Sequence, residues 1–133
     1  MNQKLTIVFG ILLCAVLAGW IVLSSQMDKL STPAARTKVQ IAMLEHTLES
    51  YRAKFGDYPV GNSTQVFRRL AGDNPEKLIF LRVPTSSVST NGEYLDQWGT
   101  PYEIKISATN RVTLRSAGAN KLFGDADDLT NER

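Results

Sequence analysis

The residues best suited to chemistry lie near the C-terminus, in the stretch NKLFGDADD (residues 120–128). It places one amide and three carboxylates within nine residues. Oxygen ligands suit calcium, which takes about six to eight of them in flexible geometry. The stretch is not an EF-hand, because the alternating acids and the closing Glu of that motif are missing. On the residues alone, the alternatives are a calcium site and a solvated acidic tail.

Other parts of the chain offer little for catalysis. His46 is the one histidine, and it has no evident Cys or Ser partner. We find neither a phosphate-binding loop nor zinc-ligand spacing. The net charge is only +2, and Lys and Arg are scattered among Asp and Glu. The sequence therefore predicts no enzyme, no nucleic-acid partner and no small-molecule substrate.

Residues 5–23 form an uncharged apolar run, LTIVFGILLCAVLAGWIVL. A transmembrane helix needs about 20 such residues. A cleaved secretory signal is the alternative, but no small-x-small site follows the run. We therefore predict a retained anchor, with an N-terminal tail and transmembrane helix over residues 1–30 and one soluble domain over residues 31–133.

An amphipathic helix follows the anchor. Apolar residues recur at steps of three and four, which marks one buried stripe. The stripe consists of Ile41, Leu44, Leu48, Tyr51 and Phe55. Pro33 either kinks a continuous helix or starts a new one capped by Ser31 or Thr32. Gly56 suits the position just past the helix end.

A second, short helix is expected after residue 62. Asn62 or Ser63 can cap it, and Gln65 lies near the position of a capping-box partner. Its expected buried face is Val66, Phe67 and Leu70. Beyond it, residues 78–81 form a short apolar run that suits either helix or strand, and residues 83–91 read as a loop.

The last third of the chain changes to a period of two. Tyr102, Ile104 and Ile106 alternate with polar residues, and so do Val112 and Leu114. This pattern predicts a β-hairpin with one apolar face. The expected fold is α+β: a long N-terminal helix, half transmembrane and half amphipathic, packed on a small antiparallel sheet.

Three blocks of this sequence resemble a known family. TKVQIAMLEHTLESYRAKFGDYP, DQWGTPY and SAGANKLFGDADDL together cover most of residues 36–129. In order and spacing they resemble the major pseudopilin of bacterial type II secretion systems. The resemblance implies a pilin-like fold and a subunit that polymerises into a short periplasmic fibre, which helps to push folded proteins through the outer membrane.

The resemblance also implies a location and partners. The chain would cross the bacterial inner membrane once and expose its C-terminal domain to the periplasm. It would associate with itself and with other pseudopilins or membrane proteins of the secretion system.

Within DQWGTPY, Gly99 and Pro101 are interpreted as turn residues, and the Trp98 ring is expected to pack against the helix.

Calcium is the cofactor that the resemblance implies, bound in the C-terminal loop. Asn120, Asp127 and Asp128 match side-chain ligand positions of the family, and Asp125 beside them is a fourth candidate with weaker family support. Loop carbonyls between residues 115 and 123 would complete the shell. Asn120 stands where the family has Asp, so we expect a lower affinity.

One part of the family pattern is missing. Prepilin peptidases cut at a Gly followed by Phe-Thr-Leu-x-Glu, and MNQKLTIVFGILL contains no such junction. Two hypotheses follow. The chain is a structural subunit of a secretion pseudopilus, or it is a single-pass membrane protein whose pseudopilin-like domain binds a partner without polymerising. The first is preferred because the resemblance spans the whole soluble domain.

Overall fold

The computed structural model describes residues 32–132 of the chain. The predicted anchor at residues 5–23 and the predicted domain boundary after residue 30 lie outside this range. No helix within residues 32–132 combines the length and the apolar character that crossing a membrane would require.

Helix α1 runs over Pro33–Phe55. Thr32 is its N-cap, since the Thr32 Oγ1 accepts a hydrogen bond from the Ala35 N–H at 3.2 Å. Pro33 occupies the start of the helix, where its missing N–H costs nothing. Gly56 ends the helix with φ of 88°, and its N–H donates to the Arg52 carbonyl at 2.7 Å. Of the two predicted caps, Thr32 is therefore the one used.

The predicted apolar stripe is the buried face of α1. Its buried residues are Thr37, Ile41, Leu44, Thr47, Leu48 and Tyr51. Phe55, the last predicted member, is only partly buried, and its ring lies 4.6 Å from that of Tyr51. Thr47 tolerates burial because its hydroxyl donates to the Met43 carbonyl at 2.7 Å.

Helix α2 runs over Ser63–Leu70 and is capped by Asn62. The Asn62 Oδ1 accepts from the Gln65 N–H, and the Gln65 Oε1 accepts from the Asn62 N–H, both at 3.0 Å. This is the predicted capping box. The predicted buried face is also confirmed: Val66, Phe67 and Leu70.

Residues 78–81 form neither the helix nor the strand that their apolar character suggested. The N–H groups of Phe80 and Leu81 instead both donate to the Leu70 carbonyl, at 2.9 and 3.0 Å. This ties the segment to the end of α2, buries Leu81 and leaves Ile79 55% exposed. The predicted loop that follows contains one 3₁₀ turn at Thr85–Ser87.

The sheet within the described residues has the order β1-β2-β3 and is antiparallel. Its strands are β1 Glu103–Ile106, β2 Val112–Ser116 and β3 Leu129–Thr130. The hairpin β1-β2 is the predicted one, whereas β3 was not predicted. Helix α1 packs on β2 and β3, and α2 packs on β1. The α+β fold, a helix on a small antiparallel sheet, is confirmed.

Aromatic rings fill the core between α2 and the sheet. The Phe67 ring stacks on Tyr94 at 5.4 Å, and Tyr94 lies 5.1 Å from Tyr102. The Tyr102 hydroxyl donates to the Gln40 Oε1 of α1 at 2.8 Å. Burial raises the pKa of Tyr102 well above its ordinary value, so this hydroxyl stays a donor.

Candidate functional site

The C-terminal loop, residues 117–128, joins β2 to β3 and carries all four predicted ligands. Its two ends meet at Gly118, which has φ of 67°. A Cβ on Gly118 would lie 2.6 Å from the Asp127 Oδ2, closer than side chains approach each other. Glycine is therefore required by both the backbone angle and the contact.

The base of this loop is anchored by Asp96, which is 6% exposed. The Asp96 Oδ1 accepts from the N–H groups of Trp98 and Thr100, each at 2.9 Å. Its Oδ2 accepts from the Ser116 hydroxyl at 2.5 Å. The Ser116 Oγ in turn accepts from the Gly118 N–H at 3.2 Å. One carboxylate thus joins the DQWGTPY turn to the start of the loop.

Trp98 is only partly buried, and its packing against the helix stays a prediction. Tyr94 and Tyr102, on either side of this turn, do lie in the core cluster with residues of α1. The role of Asp96 was missed, although an Asp two residues before a turn N–H is a known sequence signal for a side-chain-capped turn. What that signal does not contain is the distant partner, Ser116.

Three of the four predicted ligands are brought together on the exposed side of the loop. The Asn120 Nδ2 donates to the Asp125 Oδ2 at 2.6 Å, and the Asn120 N–H donates to the Asp127 Oδ2 at 2.9 Å. The Asp127 N–H donates to the Asp125 Oδ1, also at 2.9 Å. Backbone and amide donors therefore offset the repulsion between the two carboxylates.

Asp128, the fourth predicted ligand, lies deeper, with its side chain 9% exposed. Its Oδ2 accepts from the Gly124 N–H at 2.8 Å and forms an ion pair with Arg115 of β2. The Gly124 hydrogen bond, followed by Arg115, lowers the pKa of Asp128 below its ordinary value. Arg115 also lies 3.5 Å from Glu103 of β1, so the loop is tied across two strands.

The fit of this loop to calcium depends on its oxygens. Within residues 32–132, no three His, Cys, Asp or Glu side chains form a group that could hold a metal ion. Calcium also accepts amide and carbonyl oxygens, however. The Asp128 Oδ1 is buried and has no hydrogen-bond partner among the described residues. An orphaned buried carboxylate oxygen is costly, and a cation would satisfy it. Asn120, Asp125, Asp127 and Asp128 thus carry oxygens of the type that calcium binds, although the three carboxylates do not form a metal-holding group within residues 32–132.

Comparison with protein families decides the identity of the chain. The model of the type II secretion system protein G family matches residues 23–132. The chain belongs to this family. Its members are major pseudopilins, which are structural subunits of the secretion system and not enzymes. Family membership does not favour the alternative of a partner-binding protein that does not polymerise.

Among solved structures, this pseudopilin is similar to the major pseudopilin from the type 2 secretion system of enterohaemorrhagic Escherichia coli. The two share 22% sequence identity, and the match covers 82% of this chain and 92% of that chain with a TM-score of 0.49. A search of curated proteins finds no match.

Proposed function

We propose that this pseudopilin polymerises into a pseudopilus with copies of itself and with other pseudopilins of a type II secretion system. The observation that carries the proposal is the family match over residues 23–132, which includes α1, the sheet and the C-terminal loop. The uncharged run at residues 5–23 is the proposed single anchor in the bacterial inner membrane, and the domain is proposed to face the periplasm.

The exposed side of α1 supports assembly. Val39 and Met43 are 61% and 40% exposed and lie one helical turn apart, on the side away from the core. Residues spaced by four lie next to each other on a helix surface. They therefore form an apolar contact surface that the domain does not cover by itself.

Calcium is proposed to stabilise the C-terminal loop. Asp128 would supply its buried, unpartnered Oδ1, and Asn120, Asp125 and Asp127 would contribute oxygens from the exposed side. Carboxylates retain acceptor capacity after one or two hydrogen bonds. A bound cation would supply positive charge to a loop that now relies on N–H donors and Arg115.

Assembly is tested by expressing the full chain together with the secretion genes of its host. We expect surface fibres that contain the chain and cross-linked dimers and higher oligomers in membranes. Full-length chain that stays in the membrane and never cross-links to itself would support the non-polymerising alternative instead.

Calcium binding is tested by calorimetric titration of the detergent-solubilised full chain. We expect Asp128→Ala to abolish binding and Asn120→Asp to tighten it, because an added carboxylate strengthens the electrostatic attraction for the cation. Asp57→Ala, which removes an exposed acid outside the loop, is the matched control and should bind as the unmodified chain does. Equal binding by all variants would refute the proposed site.

A further inference from the structure

Leu122 and Phe123, in the middle of the C-terminal loop, form an exposed apolar tip. Their exposed fractions are 66% and 44%. The tip is held in place: the Leu122 N–H donates to the Asn120 Oδ1 at 2.8 Å, and the Phe123 ring lies 5.5 Å from the Arg115 guanidinium. Because the tip is already fixed, docking it against a partner would cost little conformational entropy.

An apolar groove of about 480 Å³ lies elsewhere on the domain, between α2 and the segment that follows it. Its apolar lining consists of Phe67, Ala71, Ile79, Leu81, Val83 and Val88. Of the described residues that line it, Arg82 alone is charged. Ile79, one of the residues that line the apolar groove, is more than half exposed.

The tip and the groove are two different surfaces of the domain. The tip is on the loop between β2 and β3, whereas the groove is beside α2, which packs on β1. Strands β1 and β3 are the two edges of the described sheet. A contact between two different surfaces of identical subunits is heterologous, and when it does not close into a ring it continues as an open filament.

Charge also matches the tip to the groove. Asp125 and Asp127 follow the tip and are exposed, whereas Lys121 is the one basic residue within residues 120–128. Arg115, which lies beside Phe123, is already paired with Asp128. The groove presents the cation Arg82 and no acid among its described lining residues. Opposite charges at the rim of an apolar contact steer the encounter and fix its orientation.

We propose that the apolar tip of one subunit docks in the apolar groove of a second copy of this chain, with its acidic flank beside Arg82. The inference rests on the proposed polymerisation and names the surfaces that carry it. It also links the calcium loop to assembly, since the residues that present the tip are the proposed ligand Asn120 and the partner of Asp128, Arg115.

The experiment uses the full chain, expressed with the secretion genes, in a Cys14→Ser background so that only introduced thiols react. One copy carries Leu122→Cys and a second, differently tagged copy carries Ile79→Cys. A short bis-maleimide should join the two tags several-fold more than in a control pair of Leu122→Cys with Val60→Cys. Val60 is a matched control because it is aliphatic and 76% exposed but outside the groove.

Two outcomes overturn the inference, and they are distinguishable. If amine cross-linking shows assembly but the Leu122–Ile79 pair reacts no more than the control pair, the docking surfaces are wrong and the proposed function stands. If neither thiol nor amine cross-linking joins two copies, both the inference and polymerisation fail. As a second measurement, Arg82→Glu should weaken the thiol cross-link, whereas Arg82→Lys, which keeps the positive charge, should preserve it.

Discussion

Asp96 is a single residue on which two distant segments depend. Its carboxylate accepts three hydrogen bonds, from Trp98, Thr100 and Ser116, while being almost fully buried. Asp96→Ala would leave these donors without an acceptor, and we expect a loss of about 2–3 kcal/mol in the free energy of unfolding. Urea unfolding of the domain at neutral pH measures it.

The control for this prediction is Asp57→Ala. Asp57 is exposed, and a surface substitution of this kind should change stability by less than about 0.5 kcal/mol. Equal effects of the two substitutions would mean that the Asp96 hydrogen bonds do not stabilise the folded state.

The stability of the folded domain should depend on pH through Asp128. Its pKa is lowered in the folded state, first by the Gly124 N–H and then by Arg115. A carboxyl with a lowered folded-state pKa contributes stability above its unfolded pKa, and this contribution is lost as pH falls through the folded value. The ordinary value is 3.8, so the loss should begin near it and continue at lower pH.

We therefore expect Asp128→Asn to lower Tm at pH 7 and to flatten the fall of Tm below about pH 4. Thermal melts across an acid pH series measure both effects. Asp73→Asn, at an exposed site outside the loop, should leave the shape of the acid curve unchanged. A parallel downward shift of the Asp128→Asn curve at every pH would contradict the linkage.

Helix α1 has one buried and one exposed face, and shortening a side chain on each face should have different effects on stability. Leu48 is completely buried in the core cluster that includes Tyr102 and Ile104. Leu48→Ala should cost about 2–5 kcal/mol, because it removes buried methyl groups and leaves a cavity. Val39→Ala on the exposed side should change stability by less than about 0.5 kcal/mol. Chemical denaturation of both variants provides the comparison.

Glu49 would be a poorer control for Leu48, although it is exposed as its sequence position predicts. Its carboxylate accepts a hydrogen bond from the Tyr58 hydroxyl, so its removal would also disturb the buried Tyr58.

Similar losses in the free energy of unfolding for Leu48→Ala and Val39→Ala would place the core on a different face of α1.

The elements that the sequence predicts well are those determined by neighbouring residues. The capping box at Asn62, the stripe of α1 and the hairpin β1-β2 each depend on spacings of two to four residues. The two-residue strand β3 has no periodicity of its own, and only its pairing with Arg115 and Ser116 defines it.

In the candidate site, too, some features can be predicted from the sequence and others depend on the packing of distant segments. The acidic residues could be read from the sequence, because their types suit calcium wherever the loop lies. Three features of the loop could not be predicted from the sequence, since each depends on how distant parts of the chain pack together. They are the Arg115–Asp128 ion pair, the buried Asp128 Oδ1 and the link from Asp96 to Ser116.

The whole domain is expected to respond to calcium, because the loop is attached to its sheet at several points. Arg115 connects Asp128 to β2 and to Glu103 of β1, and Asp96 connects the loop base to the preceding turn. A cation that binds only the folded state stabilises the whole cooperative unit and not the loop alone. At about 100 times its Kd, such a ligand adds about 2.7 kcal/mol.

For a domain of this size, each kcal/mol moves Tm by about 4–8 °C. Removing calcium with a chelator from the domain over residues 32–133 should therefore lower its Tm by on the order of 10 °C. Calcium should restore it and magnesium should not, because magnesium demands tighter octahedral geometry and loses its waters reluctantly. Asp127→Ala should abolish the response, whereas Asp57→Ala should keep it. Identical melting curves with and without chelator would leave a solvated acidic loop, closed by Arg115 and backbone donors alone.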